Sequence, residues 1–551
     1  MIIANCKLQI ERQEGDCQSR RHAPAPRLPF CNLQFAIINL QFSSTAKERK
    51  GFVLLAVLIV IVILSLAAYR YSDMTMAEYR ASDRILKSAE AKALADSGIH
   101  YAAAILADKD AFTNTLGGNP TDNAGIFQNK SFEDGRSGRF SVLYVDYTQD
   151  SGAGSLPLKY GVIDEAGKLN LNGFMQLDST GQVLYNALTN TNQPLPGMTA
   201  DIANSIIDWM DADDDTRSGG AEASFYSGRS PGYRCKNGPL DSLEELLLVK
   251  GIAPMLLFGN DLNRNGRRDP DEETGGEFSY GWAPYLTVYS RERNYDNSGA
   301  RRININGKDL KTLYGQLKTA IGADSAAYII GYRIYDLPTA NSKTPTKAGT
   351  TGDLVTKVEA SVNGKSAPRS RRNISSILQL IGTSVSVAGS NNQPATIYAF
   401  PITNPETARD LLPVALDKLT TVSDKELPPR INVNTAPRNV LLALPGLDSS
   451  DVDDIVSRRP SAASTDPSDP IYTTPAWLYT EDVIPAAKLI ALERYVTARS
   501  QVYRIQSVGY FERGGPVVRV EAIVDTNDGK PRILYYRDLT ELGRAIDPRN
   551  Q

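Results

Sequence analysis

An uninterrupted apolar run near the amino terminus constrains this 551-residue chain more than any other feature. Residues 52–69 contain no charged side chain, and basic residues stand before them at Lys47, Arg49 and Lys50 and after them at Arg70. A helix of this length can just cross a bilayer. Because basic residues collect on the cytoplasmic side of a membrane, we expect a cytoplasmic amino terminus and an exported body.

Helical spacing continues beyond the apolar run. Apolar and small residues recur three or four positions apart, for example at Leu86, Ala89 and Ala93, which predicts one long helix over residues 52–110. Its transmembrane part is residues 52–69. Hydrophobicity alone favours an ordinary signal anchor, or a signal peptide cleaved near Ala67 and Ala68.

Charge and residue types limit the chemistry that the body can perform. The formal net charge is −3, and because residues 1–51 carry an excess of basic side chains, the remainder is more acidic still, which disfavours a nucleic-acid-binding protein. His22 and His100 are the only histidines, so a Ser-His-Asp triad or a histidine-rich zinc site is hard to assemble. Beyond residue 51 the chain keeps Cys235 as its single cysteine. We therefore expect no enzyme.

A short motif of the form basic-aliphatic-Asn-aliphatic-Asn occurs three times, at residues 168–172, 302–306 and 430–434. Its alternation predicts a short strand, and its last Asn is expected to cap a following helix. Pro-Gly turns at Leu195–Met198 and Leu444–Leu447 precede further helical patterns. This is also the helix-hairpin-helix pattern, whose Gly amides can hold a DNA phosphate, so a membrane-anchored DNA receptor is an alternative function.

The order of elements predicts an α+β fold in which a large helical insertion splits one antiparallel sheet. Strand patterns appear at residues 139–147 and 160–163, and again after residue 501. Polar, breaker-rich stretches predict a linker at about 338–371 and a loop at Ser461–Asp469. The expected boundaries are a leader 1–51, the amino-terminal helix 52–110, the first part of the sheet 111–172, the helical insertion 173–500 and the carboxy-terminal strands 501–545.

Residues 261–272 match the template of a calcium-binding loop, with oxygen-bearing side chains at the first, third, fifth, ninth and twelfth positions and Gly266 at the sixth. Calcium prefers such hard oxygen ligands. The candidate ligands are Asp261, Asn263, Asn265, Arg267 through its backbone carbonyl, Asp269 directly or through water, and Glu272. A solvated acidic turn is the alternative interpretation.

A second stretch, residues 211–222, fits the same template less well. It has carboxylates at the first, third, fifth and twelfth positions, namely Asp211, Asp213, Asp215 and Glu222, but Thr216 stands where the template has Gly. A solvated acidic turn explains this stretch about equally well. Calcium is the only cofactor that the sequence predicts.

The tripeptide Lys50-Gly51-Phe52, at the start of the apolar run, resembles a prepilin peptidase site. Most pilins and pseudopilins have Glu at the fifth position after the cut, where this chain has Ala56; the K-type minor pseudopilin of type II secretion systems typically lacks it. Segments at 161–172, 206–215, 431–447 and 502–511 resemble the same family, which we identify as general secretion pathway protein K. Residues 1–46 are longer than a usual prepilin leader, so we expect an over-extended start.

This resemblance implies a pilin-like fold and a structural function. It implies cleavage between Gly51 and Phe52, methylation of the new amino terminus, and a place at the tip of a periplasmic pseudopilus with the I- and J-type minor pseudopilins. It also implies calcium in the helical domain. The expected location is the inner membrane, with one membrane pass and a periplasmic body. A minor type IV pilin is the nearest alternative, and a nucleic-acid partner is not expected.

Overall fold

The computed structural model describes residues 52–131, 137–147, 156–190, 195–267, 269–270, 272, 279–338, 346–364, 369–389, 393–459, 470–527, 529–542 and 546–550. The predicted leader, with Gly51, and the predicted loop at Ser461–Asp469 lie outside these residues. The chain divides into two compact units, residues up to Ala77 and residues from Glu78 onward.

The described part of the first unit is entirely helical. It belongs to helix α1 (Phe52–Ala107), and the side chains of its apolar run are exposed. Among the described residues this is the one helix that is long and apolar enough to cross a membrane. Length and composition agree here with the predicted transmembrane segment at 52–69.

The second unit begins with the remainder of α1 and short elements after it. They are α2 (Lys109–Asn114), α3 (Ala124–Phe127), β1 (Lys130–Ser131), β2 (Gly138–Val142), β3 (Tyr144–Val145), β4 (Leu158–Lys159), β5 (Ile163–Asp164) and a 3-10 turn (Glu165–Gly167). The predicted helix over 52–110 thus ends at Ala107, where Asp108 caps α2 by accepting a hydrogen bond from the Ala111 amide.

The helical insertion follows and contains three consecutive groups of elements. The first group is β6 (Leu169–Asn170), α4 (Leu171–Leu177), α5 (Gln182–Thr189), α6 (Ala200–Met210), α7 (Ala223–Ser227), a 3-10 helix (Leu243–Leu248), α8 (Pro254–Phe258) and β7 (Leu286–Thr287). Strand β8 (Glu292–Arg293) leads to the second group, which is β9 (Ile303–Asn304), α9 (Leu310–Ile321), α10 (Ala323–Ile334), β10 (Thr346–Ala348), α11 (Thr351–Val362), a 3-10 turn (Leu378–Leu380), β11 (Ser384–Val387), β12 (Ala395–Ala399), α12 (Pro405–Lys418) and β13 (Leu419–Thr420).

Strand β14 (Glu426–Leu427) leads to the third group and to the end of the chain. The third group is β15 (Ile431–Asn432), α13 (Arg438–Leu442), α14 (Ser449–Arg458), a 3-10 turn (Pro470–Thr473), α15 (Trp477–Thr480), α16 (Ala486–Leu492) and β16 (Val496–Thr497). Strands β17 (Val502–Phe511), β18 (Val518–Asp525) and β19 (Arg532–Asp538) come next, followed by 3-10 turns at Thr540–Leu542 and Pro548–Asn550.

One antiparallel sheet joins the two ends of the second unit. Its order is β1-β2-β17-β18-β19, and β5 also pairs with β17. Strands from before residue 165 therefore lie beside strands from after residue 501. This confirms the predicted α+β fold with a sheet that a helical insertion splits.

Helix α1 packs on this sheet at unusually short range. Its buried residues Ala91, Ala95 and Ile99 share a core with Ile505 and Val520 of the sheet. Two glycines allow the approach. A Cβ at Gly509 would lie 2.0 Å from the Ala91 carbonyl oxygen, and one at Gly98 would lie 2.1 Å from the Ser507 hydroxyl. The backbone of Gly509 therefore lies against the backbone of α1, and the backbone of Gly98 lies against the Ser507 side chain.

The strand predicted at 139–147 is shorter in the structure. Strand β2 ends at Val142, and β3 pairs instead with β4. The reason is the partner strand: β17 pairs with β2 at Ser507–Phe511 but with β5 at Tyr503–Arg504, so the same edge of β17 is already occupied further along. Of the strand predicted at 160–163 only Ile163 is in a strand, β5, because β4 ends at Lys159.

Part of the predicted linker at 338–371 forms regular structure. Residues 346–348 are β10 and residues 351–362 are helix α11. Leu354, Val358 and Val362 are buried at spacings of four on one face of this helix, and the Thr350 hydroxyl accepts a hydrogen bond from the Asp353 amide at its start. Residues 339–345 and 365–368 lie outside the described part.

The last Asn of the repeated motif does not cap a helix as predicted. In the first copy the cap of α4 is the earlier Asn170, whose side-chain oxygen accepts a hydrogen bond from the Gly173 amide. Asp309 caps α9 after the second copy, and Pro437 precedes α13 after the third. The motif does begin each group of helices with a short strand.

Candidate metal centre

The predicted calcium loop at 261–272 is ordered around buried carboxylates. The exposed fraction is 2% for Asp261 and 3% for Glu272. The two side-chain oxygens of Asp261 accept hydrogen bonds from the amides of Asn265 and Gly266, each at 2.9 Å, and Glu272 accepts one from the Asn263 amide at 3.3 Å. The first and last positions of the template therefore hold the loop closed from inside.

The intermediate template positions meet at Asp269. Its Oδ2 accepts hydrogen bonds from the side-chain amides of Asn263 at 2.7 Å and Asn265 at 2.8 Å. The side-chain oxygens of the same two Asn residues accept backbone amides of the loop, including that of Arg267 at 2.7 Å. The structure thus brings together all six predicted ligand positions in one loop, while the Arg267 side chain is exposed.

Gly266 performs the turn that the template assigns to it. Its φ is +72°, a left-handed value that glycine adopts without strain. A Cβ there would lie 2.4 Å from Cγ1 of Val145, so the loop also packs closely on β3. Arg264 has φ of +54°, and its guanidinium lies 4.6 Å from the centre of the Phe258 ring. The cationic side chain is held against an aromatic ring rather than among the candidate ligands.

The sheet supports this loop from below. Arg519 on β18 is fully buried, and its guanidinium donates hydrogen bonds to the backbone carbonyls of Arg264, at 2.7 Å, and Asn263. The Tyr147 hydroxyl donates to Asp261 at 3.4 Å. The sequence analysis did not include Arg519. It lies in a strand 255 positions from Arg264, and no local pattern marks it as a partner of the loop.

Burial governs the ionisation of both loop carboxylates. Burial raises the pKa of Asp261, against hydrogen bonds from the Gly266 and Asn265 amides that lower it, and burial likewise raises the pKa of Glu272. A raised pKa means that burial disfavours the charged form of these carboxyl groups. A bound divalent cation would offset this cost.

The second candidate stretch, residues 211–222, surrounds buried carboxyl oxygens that lack strong hydrogen-bond donors. Glu222 is 2% exposed, and the only donor at its side-chain oxygens is the weak thiol donor of Cys235; Oδ1 of Asp211 accepts no hydrogen bond. Burial raises the pKa of Glu222 to about 7 and that of Asp211 to about 6. A buried carboxylate without a strong donor is costly, which makes this stretch a better candidate than its sequence indicated.

Asp208 adds a carboxylate that the sequence analysis did not include. It is fully buried near the end of α6, and its Oδ1 has no hydrogen bond, although the Arg217 Nε lies 3.3 Å away. The charges of Asp208 and Asp213 raise the pKa of Asp211 further. Its position three residues before Asp211 on a helix was the signal available, because that spacing places both side chains on one face.

The remaining predicted members of this stretch are exposed. Asp213 and Asp215 lie in solvent, where an Asp213 side-chain oxygen accepts a hydrogen bond from the Asp215 amide at 2.9 Å. Among the described residues no group of three or more Asp, Glu, His or Cys side chains is already arranged to hold a metal ion. Binding of an ion at either candidate stretch therefore requires side chains to turn toward it. The carboxylates of the first stretch now accept hydrogen bonds from backbone amides, and several oxygens of the second accept none.

The turn at Leu444–Leu447 has the backbone conformation of a helix-hairpin-helix turn, but acidic side chains follow it. Gly446 has φ of +83° and α14 begins shortly after it. Asp448 accepts hydrogen bonds from the amides of Ser450 and Asp451 at the start of α14, and Asp451 accepts one in return. Carboxylates thus occupy the amides at the start of α14 and place negative charge beside the turn, which disfavours a phosphate there.

Comparison with known proteins finds a match to one family model and matches to solved structures. Residues 167–258 match the model of the family described as protein K of the type II secretion system. One of these structures is the GspK-GspI-GspJ complex from the type 2 secretion system of enterotoxigenic Escherichia coli; the match has 12% sequence identity, covers 84% of this chain and 98% of the other, and has a TM-score of 0.33. No curated protein sequence matches this chain.

Proposed function

We propose that this chain is a minor pseudopilin of the type II secretion system with a structural function at the tip of the pseudopilus, because residues 167–258 match the model of the protein K family. The family match is the observation that carries the proposal. Two features of the structure support it: an apolar amino-terminal helix, and an antiparallel sheet that a large helical insertion divides.

The apolar helix anchors the protein in the inner membrane. The basic residues Lys47, Arg49 and Lys50 stay in the cytoplasm, and the body after Arg70 enters the periplasm. Prepilin peptidase cuts between Gly51 and Phe52, which releases the leader and leaves Phe52 as the methylated amino terminus. Phe52 lies in α1, so the new amino terminus would belong to this helix.

The tip position follows from charge and size. A carboxylate inside a bilayer is costly unless it meets a partner, and Ala56 stands where most pilin subunits have Glu. A subunit with nothing stacked above it needs no such charge. The helical insertion extends from β6 to β16, and a body of this bulk is hard to repeat along a helical shaft. Both features suit a subunit that occurs once per filament.

Calcium belongs to this proposal as a structural ion. Asp261, Asn263, Asn265, Asp269, Glu272 and the Arg267 carbonyl would hold one ion. Asp208, Asp211 and Glu222, with Asp213 or Asp215 from the exposed part of the loop, would hold a second. The ion's charge would offset the cost of burying these carboxylates and would keep the loops of the insertion in one shape for contact with partner subunits.

The partners that we propose are the I- and J-type minor pseudopilins, because a relative named GspK occurs in a complex with GspI and GspJ. The test is deletion of the gene followed by comparison of the secreted proteins and of surface fibres. Loss of exported proteins with unchanged surface fibres, restored by the full chain, supports the proposal. Loss of surface fibres with normal export would instead assign the protein to a pilus.

Co-purification tests the partner assignment separately. The full chain, extracted in detergent from its own host, is expected to retain the I- and J-type subunits. Recovery without them, from cells in which all three are present, would contradict the assignment.

A further inference from the structure

The three copies of the repeated motif start groups of elements that share one internal plan. In each group the motif strand pairs in parallel with a strand at the group's end: β6 with β7, β9 with β13 and β15 with β16. The register is the same in all three pairs: the first Asn of the motif lies opposite a buried Thr. The pairs are Asn170 and Thr287, Asn304 and Thr420, and Asn432 and Thr497.

A glycine turn occupies an equivalent place in every group. Gly197, Gly322 and Gly446 have φ of +69°, +83° and +83°. Each lies shortly before the helix that forms the second arm of a hairpin, which is α6, α10 and α14 respectively. The second group therefore contains a hairpin turn that its sequence, Ile321-Gly322-Ala323, does not reveal through a Pro-Gly pair.

The motif's last Asn makes the same pair of hydrogen bonds in the first two groups. The Asn172 side chain donates to the Leu240 carbonyl and accepts from the Leu240 amide, both at 2.9 Å. The Asn306 side chain donates to the Ile374 carbonyl and accepts from the Ile374 amide, again both at 2.9 Å. In both groups the partner lies 68 residues further along the chain.

The third group keeps the donor half of this contact. The Asn434 side chain donates to the Tyr472 carbonyl at 2.8 Å, while its oxygen accepts from the Trp477 indole at 3.0 Å. These half-buried amides tie the first strand of a group to a segment that enters its core later. The shared pairing, turn and Asn contact identify three copies of one module, residues 168–290, 302–423 and 430–500.

The chain enters and leaves the middle copy at one place, although this copy also packs on the third copy. The side chains of Ser376 and Glu493 are hydrogen-bonded, and Arg409 forms an ion pair with Glu481 at 3.2 Å. Strands β8 and β14 form an antiparallel pair immediately before and after it, with Arg293 opposite Glu426. The Asn294 amide continues this ladder to the Lys425 carbonyl at 2.9 Å. The chain thus enters and leaves the middle copy side by side.

Internal contacts close the middle copy on itself. The buried Arg333 on α10 donates to the carbonyls of Ile305, at 3.0 Å, and Gly307, at 2.7 Å, just after the motif strand. The Asn306 side chain also donates to the Thr421 carbonyl at 3.0 Å, beside the closing strand. Start, middle and end of residues 302–423 are therefore bonded to one another.

We propose that residues 302–423 are an added third copy of the module, held closed by Asn306, and that this copy opens as a cooperative unit separate from the copies on either side. The buried residues of all three copies share one hydrophobic core. Each copy nevertheless has its own strand pair and its own Asn contact, so the hydrogen bonds that close one copy can break without breaking those that close the others. The proposal does not depend on the secretion function.

Hydrogen exchange measured by mass spectrometry on the detergent-solubilised full chain tests this. Asn306→Ala removes one accepted and two donated hydrogen bonds. It is expected to speed amide exchange at least tenfold across 302–423, with less than twofold change in 168–290. Residues 430–500, on which the middle copy packs, are expected to change less than 302–423. Asn172→Ala is expected to act in the same way within 168–290. Gln316→Ala, an exposed substitution on α9, is the matched control and is expected to change nothing.

Two results would overturn the proposal. Unchanged exchange in the Asn306→Ala variant would mean that the Asn contact does not close the copy. Faster exchange of similar size in all three copies, or unfolding of the whole body, would mean that they open together. A second variant, in which residues 294–425 are replaced by an Asn-Gly turn between Arg293 and Glu426, is expected to keep the exchange protection of β17 and β18; loss of that protection contradicts a separate middle copy.

Discussion

The Arg519 guanidinium, on a strand inside the sheet, donates a hydrogen bond of 2.7 Å to the backbone carbonyl of Arg264 in the candidate calcium loop. Arg519 is fully buried, so this bond crosses from the sheet to the helical insertion without solvent. The loop is consequently held in shape by the sheet as well as by its own side chains.

Replacing Arg519 with Met is expected to destabilise the protein. The substitution leaves the carbonyls of Asn263 and Arg264 without their donors, and buried carbonyls that lose a charged donor cost about 2 kcal/mol or more. Urea unfolding of the full chain in detergent measures the change. Arg513→Met, on the exposed turn between β17 and β18, is the matched control and should alter the midpoint little. Equal stability of the two variants would contradict the supporting role of Arg519.

Calcium is expected to bind the full chain at the loop 261–272. Isothermal titration of protein stripped with a chelator should show binding that the double variant Asp261→Asn, Glu272→Gln loses, because calcium needs the charge of these carboxylates and the variant keeps their size. The paired variant Glu222→Gln leaves this loop intact and should remove only a second binding event. Unchanged binding in both variants would exclude these ligand sets.

The second stretch predicts a dependence of stability on pH. Burial raises the pKa of Glu222 to about 7 and that of Asp211 to about 6, so the folded protein binds protons that the unfolded chain has already released. The two protonated carboxyl groups therefore stabilise the fold near pH 4, and this stabilisation is lost as the pH rises toward 7. One unit of pKa shift corresponds to about 1.4 kcal/mol, so the expected loss is a few kcal/mol.

Denaturation of calcium-free protein between pH 4.5 and 7.5 measures that loss. The Glu222→Gln variant should show a smaller loss, because its amide does not ionise. Excess calcium should reverse the loss in the unaltered chain by favouring the charged carboxylates. If the calcium-free unaltered protein instead gained stability over this pH range relative to the Glu222→Gln variant, the raised pKa of Glu222 would be contradicted.

Two glycine substitutions should have opposite effects. Gly509→Ala places a Cβ 2.0 Å from the Ala91 carbonyl oxygen and must separate α1 from the sheet, at a cost of about 3 kcal/mol. Gly315→Ala lies in α9 with no atom within 4 Å of the added carbon and should stabilise by about 0.5 kcal/mol through helix propensity. Thermal unfolding of both variants checks the contrast. A Gly509→Ala variant as stable as the unaltered chain would contradict the close packing.

Local patterns made several features predictable. The apolar run at 52–69, the strand alternation after residue 501 and the spacing of oxygen ligands from Asp261 to Glu272 each depend on neighbouring residues alone. These features correspond to α1, to strands β17 to β19 and to one closed loop. Periodicity and template spacing are sufficient where a structure is decided within a dozen residues.

Other features depend on contacts between distant residues and were not predictable in this way. Arg519 and Arg264 are separated by 255 positions. Asp208 looks like an ordinary residue of an amphipathic helix until α6 buries it beside Glu222. Helix α11 was hidden because Thr, Lys and Gly around it are typical of a linker, although Leu354 and Val358 have helical spacing. Tertiary packing decided these cases over local composition.

The measurement that tests the central claim most directly is mass spectrometry of the amino terminus of the membrane-extracted protein, from a host with and without its prepilin peptidase. A methylated amino terminus at Phe52 that depends on the peptidase is the predicted result, and it would place the chain among pilin-like subunits. An amino terminus that is uncut, or cut elsewhere without regard to the peptidase, would contradict the proposal that this protein is a minor pseudopilin.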